Sequence, residues 1–457
     1  MIALLSQRNG WGRRSGVGRR AGLIALCASA LLLGACEDFG FFKRKDPLPG
    51  ERIAVMMTGR SVEPDLRIAD LPVRLPRPVA NAEWPQAGGL PAHAMHHLAV
   101  GDTLRIVWRA DIGRGSSADN YHLLGAPVVA AGKVFAIDTR ARVTAVDATS
   151  GAVVWSVDTA PESGGQPVAS GGVSYDDGRV FVATAFAQVV ALDAATGEQS
   201  WRQPTNAPLR AAPTVSGGRV FATTVDNQTF AFDAQDGRRI WTHSGISEIA
   251  GLLGGASPAV DAGTVVVPYT SGELFALRAE NGRVVWSDSL IAVRRIDSVS
   301  NLADIRGRPV IDRGLVIAIS HSGRMAAIDL RSGNRIWDRD IGGTEMPWVA
   351  GDFVYVLTND NQLVCLTRRD GRVRWATGLS QYQNPDKKQD RIFWSGPVLV
   401  SDRLVLVNSV GEALAVSPYT GDPLGRMALP RGTFIAPVVA GETMFILTEN
   451  AQLLALR

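Results

Sequence analysis

The sequence predicts an all-β protein, an eight-bladed β-propeller of four-stranded antiparallel blades closed by strands from both ends of the chain. Three observations predict it. A glycine returns at Gly151, Gly197, Gly237, Gly282, Gly333, Gly371 and Gly421, each after an apolar run and a small polar turn former. A tryptophan follows four residues later at Trp155, Trp201, Trp241, Trp286, Trp337 and Trp375, and Gly425 stands in the seventh place. Eight prolines, Pro127, Pro167, Pro213, Pro258, Pro309, Pro347, Pro397 and Pro437, each precede an apolar run. One unit reads as a proline-led strand, two further strands, a glycine turn and a tryptophan strand, which is four strands in about 40–50 residues, the size of a propeller blade.

The glycine turn is expected to be a type I turn with the glycine in the left-handed region, which other residues enter only at a cost. The tryptophan can then cover the strand pair and its neighbour while its N–H finds a carbonyl. Asp147, Asp193, Asp233 and Asp329 recur at the turns, where an aspartate satisfies backbone N–H groups. Trp108 has no glycine turn before it, and Gln452 to Arg457 is a third strand with nothing after it. The two halves complete each other, so the eighth blade takes its outer strand from the N-terminal side and leaves no open ring.

Ahead of the blades, residues 1–35 read as a signal peptide, with a basic region followed by the apolar stretch Ala21 to Ala35. The stretch ends Leu33-Gly34-Ala35-Cys36, which resembles the lipobox of bacterial lipoproteins, and that resemblance implies lipidation at Cys36. Several acyl chains would anchor the chain where one would be marginal. Residues 36–83, with Pro47, Pro49, Pro64, Pro72, Pro76 and Pro78, read as an extended tether with one short strand at Ile53 to Met57. Residues 84–457 are the propeller.

Charge gives no support for a nucleic-acid partner. The formal net charge is +3, but residues 1–35 carry five arginines and no acid, which leaves 42 basic and 44 acidic residues, a net of −2. Cys27 is lost with the leader, so Cys365 stands alone at an apolar strand position held by alanine in other units, a packing residue. His93, His96 and His97 lack a partnering carboxylate or cysteine and read as a solvated loop rather than a metal site.

These units resemble the propeller repeats of quinoprotein dehydrogenases. With the lipobox, the tether and the count of eight blades, the chain resembles the BamB family of outer-membrane β-barrel assembly lipoproteins. The resemblance implies a non-enzymatic scaffold with no cofactor, metal or catalytic residue, lipid-anchored in the outer membrane and facing the periplasm. Its partners would be BamA, through the periplasmic POTRA domains, other subunits of the BAM complex and nascent outer-membrane proteins.

The family's contact with BamA lies on the loops entering blades four and five, here Ile246 to Ser257 and Asp288 to Arg308. The second loop falls in the widest tryptophan interval, Trp286 to Trp337, and mixes apolar and charged residues as interfaces do. By position, the resemblance assigns Leu252, Leu253 and Asp304 as contacts, with Arg294, Arg295 and Arg306 beside them. In this assignment the two leucines supply apolar burial and the charged residues the rim. Leu253 stands where the family often shows arginine, and Arg306 where it can show an acid. Two other readings remain on sequence grounds, a quinoprotein dehydrogenase and a general peptide-binding propeller. The first lacks the adjacent cysteine pair, and its turn aspartates do not converge on a site.

Overall fold

The computed structural model describes residues 61–116, 123–161, 171–248, 251–291 and 302–457. Cys36, the expected site of lipidation, the strand expected at Ile53 to Met57, Pro167, Arg294 and Arg295 lie outside the described residues.

Eight four-stranded antiparallel sheets follow one another, spanning 128–158, 172–204, 214–244, 259–289, 310–339, 348–378, 394–428 and 438–456, the last completed by Ile106–Asp111. They are numbered blades one to eight in that order. The closure is as the orphan strands required. Ile106–Asp111 pairs antiparallel with Gln452–Leu456, with Trp108 opposite Ala455. Among the described residues, a two-stranded hairpin, Tyr382–Asn384 with Gln389–Arg391, stands between blades six and seven.

The turn chemistry explains the repeat. In blade two, the Gly197 N–H donates to the Asp193 carbonyl at 2.8 Å, and the Asp193 carboxylate accepts from the Ala195 and Thr196 N–H groups. Those bonds hold the Asp193 carboxyl below its usual pKa. The strand that follows opens with a bulge at Ser200, since Gln199 pairs with Leu192 and Trp201 with Ala191. The bulge re-aims Trp201 so that it stands opposite Ala191 on one face of the sheet. The same pairing puts Ala145, Ala231, Ala276, Ala327 and Cys365 opposite Trp155, Trp241, Trp286, Trp337 and Trp375. A small residue is needed there because the indole lies over it. Cys365 is fully buried among these contacts, and burial raises its thiol pKa far above the reactive range, as a packing role requires.

Each indole reaches the next blade. Trp155 donates from Nε1 to the Ala194 carbonyl at 3.2 Å, Trp201 to Ala234 at 3.1 Å and Trp241 to Ala279 at 3.0 Å. Trp286, Trp337 and Trp375 likewise reach Leu330, Arg368 and Pro418. The ring then seats against the next blade's turn glycine. A Cβ on Gly197 would lie 2.9 Å from Trp155, and one on Gly237 would lie 2.7 Å from Trp201. Glycine is therefore required twice over, for its left-handed backbone and for the approach of the preceding blade's ring. Each contact joins one hydrogen bond of about 1 kcal/mol to an indole burial of about 2–3 kcal/mol. Trp108 seats on Gly151 in the same way, carrying blade eight onto blade one, though its Nε1 has no hydrogen-bond partner among the described residues.

Residues 61–104 are tied to the blades at several points along their length. Val62 N–H donates to Gln362 Oε1 at 2.8 Å, Asp65 N–H to the Val373 carbonyl at 2.8 Å, and Arg374 Nε to the Leu71 carbonyl at 2.7 Å. Residues 79–98 then form a hub on the innermost strands of all eight blades. Asn81 bonds Val439 and Gly441 of blade eight, Trp84 pairs with Val129 of blade one, and the Pro85 carbonyl accepts from Tyr175 of blade two. Gln86 is buried and uses its amide as a strand would, accepting from Val215 N–H at 3.0 Å and donating to the Val215 carbonyl at 3.2 Å in blade three. Pro91 and Ala92 accept from Val260 and Ile311 of blades four and five, His96 accepts from Trp348 of blade six, and Leu98 donates to Leu399 of blade seven.

Candidate partner-binding face

Antiparallel order places the turn between first and second strands, and in blades one to seven the turn between third and fourth, at one end of the blade. The remaining loops, including those that enter blades four and five, lie at the other end. That end carries a run of exposed apolar side chains: Ile246, Leu253, Phe393, Val410 and Phe434. Phe393 and Phe434 pack on each other with ring centroids 5.7 Å apart, and Arg391 lies over Phe393.

The loops entering blades four and five are fastened into one surface. Leu252 N–H donates to Asp304 Oδ2 at 2.9 Å, and Arg306 Nε donates to the Leu253 carbonyl at 2.9 Å. Both bonds use the backbone of the leucines, which leaves the Leu253 side chain exposed and that of Leu252 half-buried. Asp304 corrects one expectation. It is 2% exposed and so is no rim charge; it is the buried tie between the loops. Burial raises its carboxyl pKa to about 6, against the pull of the Leu252 N–H and of Arg306. Arg306 turns from the loop toward the axis, with Nη1 at 3.8 Å from Glu345 Oε1.

A cavity lies on the axis. Trp84 and Gly88 of the hub line it together with Arg210, Arg306, Arg308 and Glu345. Burial raises the Glu345 carboxyl pKa and lowers that of the Arg308 guanidinium, the neighbouring opposite charges offsetting part of each effect. One carboxylate among three guanidiniums is no donor set for a divalent cation, and no group of three potential metal-ligating side chains occurs among the described residues. The cation that accompanies a quinone cofactor in dehydrogenase propellers therefore finds no fitting ligands here.

The histidine cluster also differs from expectation. His93 and His97 are each 2% exposed, because they belong to the hub rather than to a solvated loop. His93 Nδ1 lies 2.7 Å from the Pro309 carbonyl, and burial lowers its pKa to about 3, so the ring is neutral. His97 Nδ1 faces the Pro76 carbonyl, and its Nε2 accepts from Asp402 N–H. The sequence signal that could have found the hub is weak: a run of turn formers and glycines between the tether and the first strand, with no periodicity.

Comparison with known proteins decides the family. The sequence profile described as "Outer membrane protein assembly factor BamB" matches residues 139–377, more than half of the chain. The chain belongs to the BamB family. The BamB of Yersinia pestis is 27% identical over 355 residues, covering 76% of this chain and 88% of that protein. The BamB of Moranella endobia is 24% identical, covering 77% and 89%. The crystal structure of BamB from Moraxella catarrhalis superposes with a TM-score of 0.60 at 21% identity, over 78% of this chain and 98% of that one. A europium-containing methanol dehydrogenase superposes with a TM-score of 0.63 at 16% identity, over 80% and 89%, a likeness of fold alone.

Proposed function

We propose that this protein is a non-enzymatic scaffold of the outer-membrane β-barrel assembly machinery. It is anchored in the outer membrane through acyl chains on Cys36, faces the periplasm and holds BamA by its POTRA domains. Membership of a family of outer membrane protein assembly factors supports the setting. The observation that carries the assignment of the face is the pair of backbone bonds, Leu252 to Asp304 and Arg306 to Leu253. They make one platform of two loops and free the leucine side chains as apolar anchors beside a charged surround.

Buried anchors dominate such interfaces, while rim charges tune rate and specificity. Leu252→Asp with Leu253→Asp should weaken co-purification with BamA by at least about tenfold, since each lost anchor costs more than about 1 kcal/mol. Arg294→Ala should have a much smaller effect. The double variant should keep its circular dichroism spectrum, because the ties are made by backbone atoms that the substitutions retain. A folded double variant that retains BamA at the wild-type level would rule out this face.

A further inference from the structure

Seven of the eight junctions between blades are filled by a tryptophan. The junction of blades seven and eight is the exception. Gly425 pairs with Ala415 in the register that puts tryptophan opposite alanine or cysteine in the other blades. Blade eight in turn has no glycine turn to receive an indole, because its third and fourth strands come from opposite ends of the chain. Ring and seat are thus missing together, and a cavity of about 350 Å³ stands between Gly425 and blade eight.

Its walls are apolar. Val405 and Leu414 come from blade seven, Met444, Ile446 and Leu456 from blade eight, with Met427 beside them. Thioether and aliphatic walls suit an aromatic ring, and the volume is that of a small binding pocket. The mouth is open, since Asp102, Thr103, Gly425 and Arg426 on its rim are exposed. The walls are also fixed. Arg403 donates to the Asp102 carbonyl at 2.6 Å and to the Gly101 carbonyl at 2.8 Å, pinning the segment before Ile106–Asp111 onto blade seven. Finally, the strand Pro423–Ala428 is paired on one side only, to Glu412–Val416.

We propose that this junction is a receptor for an aromatic side chain, tryptophan above all, carried by an extended segment of a client outer-membrane polypeptide. The segment adds to the free edge of Pro423–Ala428 and drops its ring into the cavity, restoring in trans the packing that the other junctions make in cis. Strand addition supplies affinity through the backbone, and the pocket supplies the choice of side chain. Strands of outer-membrane barrels present the required pattern, alternating side chains with aromatic girdles at the membrane interfaces. The identity of the client rests on the proposed function; the pocket's preference for an aromatic ring does not.

The test uses the full-length protein and a fluorescein-labelled peptide of alternating threonine and valine, flanked by lysines, with one central tryptophan. Binding is read by fluorescence anisotropy against the same peptide with alanine in the centre. The tryptophan peptide should bind at least about tenfold more tightly, as expected for a pocketed aromatic anchor. Gly425→Trp should fill the pocket in cis. A Cβ on Gly425 meets nothing within 4 Å, and its backbone is outside the left-handed region. This variant should lose the preference for the tryptophan peptide, unfold at a higher temperature and keep wild-type co-purification with BamA. Gly425→Leu, read in the same way, serves if Gly425→Trp does not fold. Equal binding of the two peptides by the wild-type protein, or an undiminished preference in a folded Gly425 variant, would overturn the proposal. Leu252→Asp with Leu253→Asp should retain the peptide preference, so failure of the pocket and failure of the BamA face give different results.

Discussion

Replacing Gly237 by alanine isolates the contact that joins one blade to the next. Gly237 has φ +75°, so any side chain there first meets the cost of the left-handed region, about 1–2 kcal/mol. Its Cβ would also stand 2.7 Å from Cδ2 and 2.8 Å from Cε3 of Trp201 in the preceding blade. The indole must withdraw. It then gives up the 3.1 Å bond to the Ala234 carbonyl, about 1 kcal/mol, and about 1–2 kcal/mol of apolar burial. The sum is about 3–5 kcal/mol. Gly218, in the same blade, is the control. Its φ is +70°, but a Cβ there meets nothing within 4 Å, so Gly218→Ala carries only the backbone cost. Urea unfolding followed by tryptophan fluorescence should place the Gly237→Ala midpoint well below that of Gly218→Ala. Coincident midpoints would show that the indole can withdraw freely, and the account of blade-to-blade docking would fail.

Three further outcomes are expected. Deleting residues 452–457 removes a strand paired on both sides and buries nothing in place of Leu453, Leu454 and Leu456; the truncated chain should melt lower and aggregate, and an unchanged melting temperature and solubility would contradict the closure. Asp304 binds its proton more tightly in the folded chain than in the unfolded one, so its effect on stability is most favourable below about pH 4 and is lost as pH rises through about 6. Asp304→Asn keeps the acceptor for Leu252 N–H and should gain about 2 kcal/mol at pH 7.5 relative to pH 4.5, measured as the difference between urea midpoints of variant and wild type; an identical pH dependence in both would remove burial as the cause. If the proposed anchor holds, with hydrocarbon burial of about 0.8 kcal/mol per CH₂ as its basis, Cys36→Ser should release the protein from the membrane and mass spectrometry of the wild-type N-terminus should show an acylated peptide beginning at Cys36; an unacylated N-terminus at any other residue would refute it.

The blades were legible because each repeats a local rule. A turn needs its aspartate and glycine, a strand its apolar run, and the tryptophan its small cross-strand partner; seven copies average out the exceptions. The seam was legible from a defect in that rule, the unpaired Trp108 strand. The hub was not, since residues 79–98, Trp84, Gln86 and His93 among them, together satisfy partners in eight different blades and no spacing in the sequence reflects those distances. The buried state of Asp304 was hidden for the same reason: its partner is the backbone of Leu252, which has no sequence signature. Leu253 lies exposed on the loop that position assigned, whereas Arg294 and Arg295 lie outside the described residues.

The hub has a kinetic consequence. Residues 79–98 precede every blade in the chain, yet their bonds to blade seven require Leu399 and those to blade eight require Val439 and Gly441. Hairpins within a blade close short loops, whereas the hub closes the longest ones in the molecule, and closure entropy grows with loop length. The blades should accordingly nucleate one by one from local contacts, with the hub settling only when the last of them is present. Side chains that act solely in the hub, such as Gln86, would then contribute little to the folding transition state. Their loss would speed unfolding while leaving the rate of folding nearly unchanged.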